Sequence, residues 1–101
     1  MWICDNEGFL SIVKNRNDDE TLLVRARARK HLYNIFPDAD ADYPFRTYIK
    51  RVDVVETIAR RLTGINYDNF KDSVDDDVLH NAYSDVWREM WGSYYNARKE
   101  V

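Results

Sequence analysis

Residues 21–29 read TLLVRARAR, and the alternation in this stretch decides the fold class. Strand side chains point to opposite faces with a period of two. Leu22, Val24, Ala26 and Ala28 therefore share one side, and Arg25, Arg27 and Arg29 share the other. The apolar side predicts contact with a core, and the cationic side predicts a solvent-facing surface. Upstream, FLSIVK at residues 9–14 is short, apolar and rich in β-branched residues, as strands are. The polar run NRNDDE at residues 15–20 lies between the two and predicts a β-hairpin. A short strand at Trp2 to Cys4 is expected to pair with the first of these across Asp5-Asn6-Glu7-Gly8, because Asn and Gly tolerate tight hairpin turns. Downstream, YPFRTYIKR at residues 43–51 alternates again, with Phe45, Thr47 and Ile49 opposite Arg46, Tyr48 and Lys50. Pro44 suits strand entry or an edge position, since it cannot donate to a ladder.

The remaining segments carry helical spacing. KHLYNIF at residues 30–36 places Leu32, Ile35 and Phe36 on one side and stops at Pro37, which cannot continue a helix. Asp53-Val-Val-Glu56 has capping-box spacing, and Gly64 suits a helix end. A helix from Val54 to Thr63 is expected to bury Val54, Val55, Ile58, Ala59 and Leu62. Asp75, Asp76 and Asp77 can cap a last helix running to about Arg98. Its stripe is Leu79, Tyr83, Val86, Met90 and Tyr94, widened by Trp87 and Trp91. The element order predicts a single α+β domain over residues 1–101, with a small, mainly antiparallel sheet of three to four strands packed with two or three helices.

The composition is that of a folding chain. A hydrophobic fraction of 45% offsets a charged fraction of 33%, enough apolar mass to counter chain entropy. Cys4 is the single cysteine, so no intramolecular disulfide can form, and beside Trp2 and Ile3 it reads as a small buried hydrophobe in a reducing compartment. No run of ~18 apolar residues is present, so no membrane span and a cytoplasmic location are expected. The net charge of −3 divides into −3 over residues 1–20, +4 over 21–61 and −4 over 62–101.

The basic middle carries the leading candidate surface. Arg25, Arg27 and Arg29 on one strand would stand ~6.7 Å apart, close to the spacing of successive phosphates. Arg46, Tyr48 and Lys50 would continue the surface if the two strands are neighbours, mixing cations with a stacking platform as single-stranded nucleic acid requires. An acidic protein would suit the same cations, and the competing reading covers them with the acidic last helix. The second candidate is the aromatic excess at Tyr67, Phe70, Tyr83, Trp87, Trp91, Tyr94 and Tyr95. Trp87 reads as core, whereas Trp91 and Tyr95 are candidate exposed anchors of the kind found in interaction hot spots.

Other chemistries find little support. Asp38, Asp40 and Asp42 match the start of a calcium loop, but Tyr43 and Ile49 stand where Gly and Glu are needed. His31 and His80 have no metal-ligand spacing. With Gly8, Gly64 and Gly92 as the only glycines, no glycine-rich phosphate loop can be built, so no cofactor or metal is expected. A small hydrolase or transferase would need a pocket joining His80 with Tyr67, Lys71 or Ser73 in the segment YDNFKDSV.

At MWICDNEGFLSIV, TLLVRAR, DYPFR, NYDNFKDSV and HNAYSDVW the chain resembles, over nearly its full length, a family of small bacterial proteins; the resemblance brings a bacterial or phage origin and no activity, cofactor or catalytic residue. In size and charge segregation it is also similar to small phage-encoded inhibitors such as anti-CRISPR proteins, a likeness carried by no motif. The expected function is a non-enzymatic interaction module that docks onto a protein or nucleoprotein complex through Arg25, Arg27, Arg29, Arg46, Tyr48 and Lys50, or through Trp91 and Tyr95. Nucleic-acid binding on the same face is the alternative, and the oligomeric state stays open.

Overall fold

The computed structural model describes residues 1–42 and 45–99, with side chains of the last helix described to Tyr95. Tyr43 and Pro44, and with Pro44 the expected strand entry, lie outside the described residues. The fold is α+β. Strands β1 (Trp2–Asp5), β2 (Gly8–Lys14), β3 (Thr21–Ala26) and β4 (Arg46–Lys50) form one antiparallel sheet in the order β1-β2-β3-β4. Helices α1 (Arg29–Ile35), α2 (Arg51–Thr63) and α3 (Asp77–Lys99) and a 3-10 turn at Lys71–Ser73 complete it. No helix among the described residues is long and apolar enough to cross a membrane.

The register sorts every strand residue onto one of two faces. Ile3, Leu10 and Ala26 form one cross-strand row, Ile12, Val24 and Thr47 the next, and Leu22 and Ile49 a third. This side is the core. Leu10 and Val24 are wholly buried, and Leu32, Ile35 and Phe36 from α1 and Val54 from α2 close over them. At Gly8 the α1 backbone comes so near that a Cβ would meet the His31 carbonyl oxygen at 2.8 Å. Only glycine leaves room for that approach.

The β1–β2 turn ties the helices together. Arg61 of α2 donates to both Asp5 carboxylate oxygens, at 3.0 and 2.5 Å, and to Glu7 at 2.9 Å, and the Asp5 bonds hold its guanidinium pKa above the usual arginine value. Asn34 of α1 donates to the Glu7 carbonyl at 2.9 Å. Tyr83 of α3 shares its one hydroxyl hydrogen between the carbonyls of Asp5 (2.9 Å) and Gly8 (3.0 Å), and burial raises its phenol pKa well above the ordinary range. Around it, Val74, Leu79, Phe9 and Phe70 form a second, smaller core.

Several local expectations are corrected. β3 stops at Ala26, and Arg29 opens α1, so the three arginines do not form one strand row. α2 begins at Arg51 with Lys50 as its N-cap and no side-chain cap. Its first amide instead donates to the Glu20 carbonyl at 2.7 Å, and Arg51 Nε donates to the Asp19 carbonyl at 2.9 Å. Of the five residues expected to be buried there, Val54 is buried and Ile58 half-buried, while Val55, Ala59 and Leu62 are exposed. Phe45 leaves the alternation of β4 with a φ of 69°. Cys4 is exposed rather than in the core. The cap of α3 behaves as expected, with Asp76 Oδ1 accepting from the Leu79 amide at 2.9 Å.

Candidate nucleic-acid interface

The second face of the sheet follows from the same register. Trp2, Ser11, Arg25 and Arg46 are successive cross-strand partners in one row over all four strands, and Leu23 and Tyr48 pair in the next. Cys4, Phe9, Val13, Thr21 and Lys50 take the same side by alternation. None of these strand residues is acidic. α1 and α2 lie on the opposite side, and α3 reaches this one near the β1–β2 turn, over Phe9 and beside Cys4.

Electrostatics in the central row run against stability. Arg25 and Arg46 are directly opposed, and like charges in that position repel. Among the described residues neither makes an ion pair, and neither does Arg27, Arg29 or Lys50. The ion pairs form elsewhere: Lys30 with Asp76, Arg60 with Glu56, Arg61 with Asp5 and Glu7, and Arg88 with Asp85. Arg25, Arg27, Arg29 and Arg46 are exposed, and among the described residues no carboxylate of the last helix pairs with them, although its first turns share a depression with Arg27.

Beside this row lies a cleft of about 440 Å³ lined by Trp2, Phe9, Ser11, Arg25, Ala26, Arg27 and Phe45, within the size range of small-ligand sites. Trp2 meets Phe9 edge-to-face at 5.7 Å yet stays 75% exposed. Phe45 is fixed on the far side by its backbone: its amide donates to the Asp42 carbonyl at 2.6 Å, and its carbonyl accepts from Ala26 at 3.0 Å. A φ of 69° at a bulky residue is unusual and costs of order 1–3 kcal/mol. Arg29 completes the rim from α1, its guanidinium 5.8 Å from the Phe45 ring centre.

The candidate residues thus divide into three places. Arg25 and Arg27 meet in the cleft and Arg46 stands opposite Arg25. Tyr48 and Lys50 line a separate depression at the β4 edge, together with Asp38, Asp40, Asp53 and Glu56. Trp91 and Tyr95 lie on α3, stacked at 5.0 Å. Trp2, Phe9 and Phe45 are the members that single-strand periodicity missed. Following the β1–β2 pairing outward from the turn would have found Trp2, because it places Trp2 opposite Ser11 and so on the arginine side.

Beyond Tyr83 the α3 stripe is largely exposed. Trp87 is 66% exposed, which corrects its assignment to the core, and Val86, Met90, Trp91, Tyr94 and Tyr95 are exposed with it. Along its inner side Val86, Trp87 and Met90 face a cleft of about 640 Å³ shared with Cys4, Phe70, Lys71 and Tyr83. That cleft takes in Lys71 but not His80, Tyr67 or Ser73, and the Ser73 hydroxyl donates to the Phe70 carbonyl at 2.5 Å. Partial burial pushes the Cys4 thiol pKa up, which keeps it protonated and a poor nucleophile at neutral pH. Asp38, Asp40 and Asp42 belong to no metal-binding cluster among the described residues.

No family model, curated protein or solved structure matches the chain.

Proposed function

We propose that this chain is a non-enzymatic binding module that engages nucleic acid, free or displayed by a nucleoprotein complex, through the uncovered sheet face. The observation that carries the reading is the opposed pair Arg25 and Arg46 on a strand face without acidic residues. Folding alone disfavours that pair, and a polyanion would neutralise it. Exposed rings beside the cations supply the platform on which bases stack, and an acidic protein surface makes no such demand. The overall charge of −3 keeps affinity for polyanions elsewhere on the molecule low, so the field is local to this face. An inhibitor of a nucleoprotein defence complex, the role suggested by size and charge, would use the same face to reach the nucleic acid of its target.

The test is capture from a bacterial lysate, with and without nuclease, by the wild-type chain and by R25E/R46E. Nucleic acid is expected in the wild-type eluate and not in that of the variant, with unchanged circular dichroism. Capture that survives both nuclease treatment and charge reversal would overturn the reading.

A further inference from the structure

We infer that the cleft between Trp2 and Phe45 seats one unpaired base of a single-stranded nucleic acid, with Arg25, Arg27 and Arg46 holding the flanking phosphates. The inference rests on the reading above and names the class of nucleic acid.

Three features of the cleft select that ligand. Aromatic rings line it from both ends, Trp2 and Phe9 on β1 and β2 and Phe45 beside β4, and a planar, apolar-faced group stacks on such rings. The rings also stand on ordered backbone, Trp2 being paired with Ser11. Phe9 meets the indole edge-to-face, and two backbone hydrogen bonds hold Phe45 at its positive φ. A base entering here meets rings whose backbone is already ordered, which lowers the ordering cost of binding. The cations are arranged beside the walls: Arg25 and Arg27 line the cleft and Arg46 adjoins Arg25 on the next strand.

The same geometry disfavours the competing ligands. A duplex keeps its bases stacked inward, so its phosphates could meet the arginines while the aromatic walls stayed empty. An acidic peptide would likewise pair with the guanidinium groups and leave Trp2 largely exposed to water. Only an unpaired nucleotide brings a flat ring and a phosphate to the cleft together.

The experiment is a fluorescence-anisotropy titration with a short labelled oligothymidylate, a labelled duplex, heparin and polyglutamate as separate probes. Trp2→Ala is expected to weaken oligothymidylate binding by about 5- to 150-fold, the range for losing one stacked base, while heparin binding stays unchanged. Trp2→Phe should recover most of the loss, which a general folding defect would not allow. Three phosphate contacts predict a fall in affinity of about 20-fold between about 50 and about 200 mM salt. Equal binding of duplex and oligothymidylate, or no effect of Trp2→Ala, would overturn the cleft assignment. The function proposed above would survive that result provided R25E/R46E still abolished nucleic-acid binding. A preference for polyglutamate over every oligonucleotide would sink both, and identify an acidic protein as the partner.

Discussion

The two faces of the sheet are written by one alternating pattern, yet they have opposite fates. On one, Leu10, Ile12, Val24, Ala26 and Thr47 are buried beneath α1 and α2. On the other, Arg25, Arg46 and Tyr48 stay open around a buried Leu23. The difference arises in the connections. α1 begins three residues after β3, and α2 follows β4 without an intervening residue, and both fold back over the apolar side. α3 is the one long helix left for the other side, and it is held at the β1–β2 turn through Tyr83. Alternation thus states which residues share a side. Whether a polar side is then covered depends on where the helices land.

The contrast can be broken most strongly from the covered side. Leu32 is fully buried between α1 and the sheet, so Leu32→Ala should destabilise the fold by about 2–5 kcal/mol, read as a lower urea midpoint. On the open side the sign should reverse. Arg46→Glu exchanges a repulsive cross-strand pair for an attractive one and should raise stability by up to about 1 kcal/mol in the same titration, even as it removes binding. A loss of stability there would mean that the opposed arginines are not a sacrifice made for a ligand.

The smallest effect comes from His31, at the margin between the two sides. Burial lowers its pKa, outweighing the opposite pull of Asp76 and adding to the push of Lys30. The folded state therefore binds this proton less readily than the unfolded chain does. Stability from this residue is intact above the unfolded histidine value of about 6.5 and declines as pH falls from there through the lower folded value. Urea midpoints measured between about pH 7 and about pH 5.5, above the main carboxylate range, should drop in the wild type and drop less in His31→Gln.

Much of the architecture was legible because its signals are local. The alternation of β3 and β4, the apolar β2 and the acidic start of α3 each fixed an element without reference to the rest. What escaped depends on contacts distant in the chain. The start of α2 is set by the Glu20 carbonyl and not by Asp53, and a capping pattern has no view of a loop thirty residues away. RAR after Val24 continues a strand rhythm, but the chain bends after Ala26 to start α1. The α3 stripe has the correct period past Tyr83, and period names a face without supplying anything to cover it. The site was half visible: its arginines were named, whereas its ring walls depend on strand pairing at Trp2 and on the backbone reversal at Phe45.

α3 has a further thermodynamic consequence. It spans 23 residues, about 35 Å, and its packed side chains Leu79 and Tyr83 both belong to its first two turns. The side-chain contacts of the outer turns include the Trp91 and Tyr95 stack, an exposed Arg88 and Asp85 pair and a Ser93 and Glu89 hydrogen bond, and open space stands where Gly92 would carry a Cβ. Isolated helices shorter than about 12–15 residues are marginal in water, and the turns beyond Tyr83 are little longer than that. Heating should therefore unwind this arm ahead of the globule, giving a melt with two cooperative units whose earlier step shows in helical ellipticity alone.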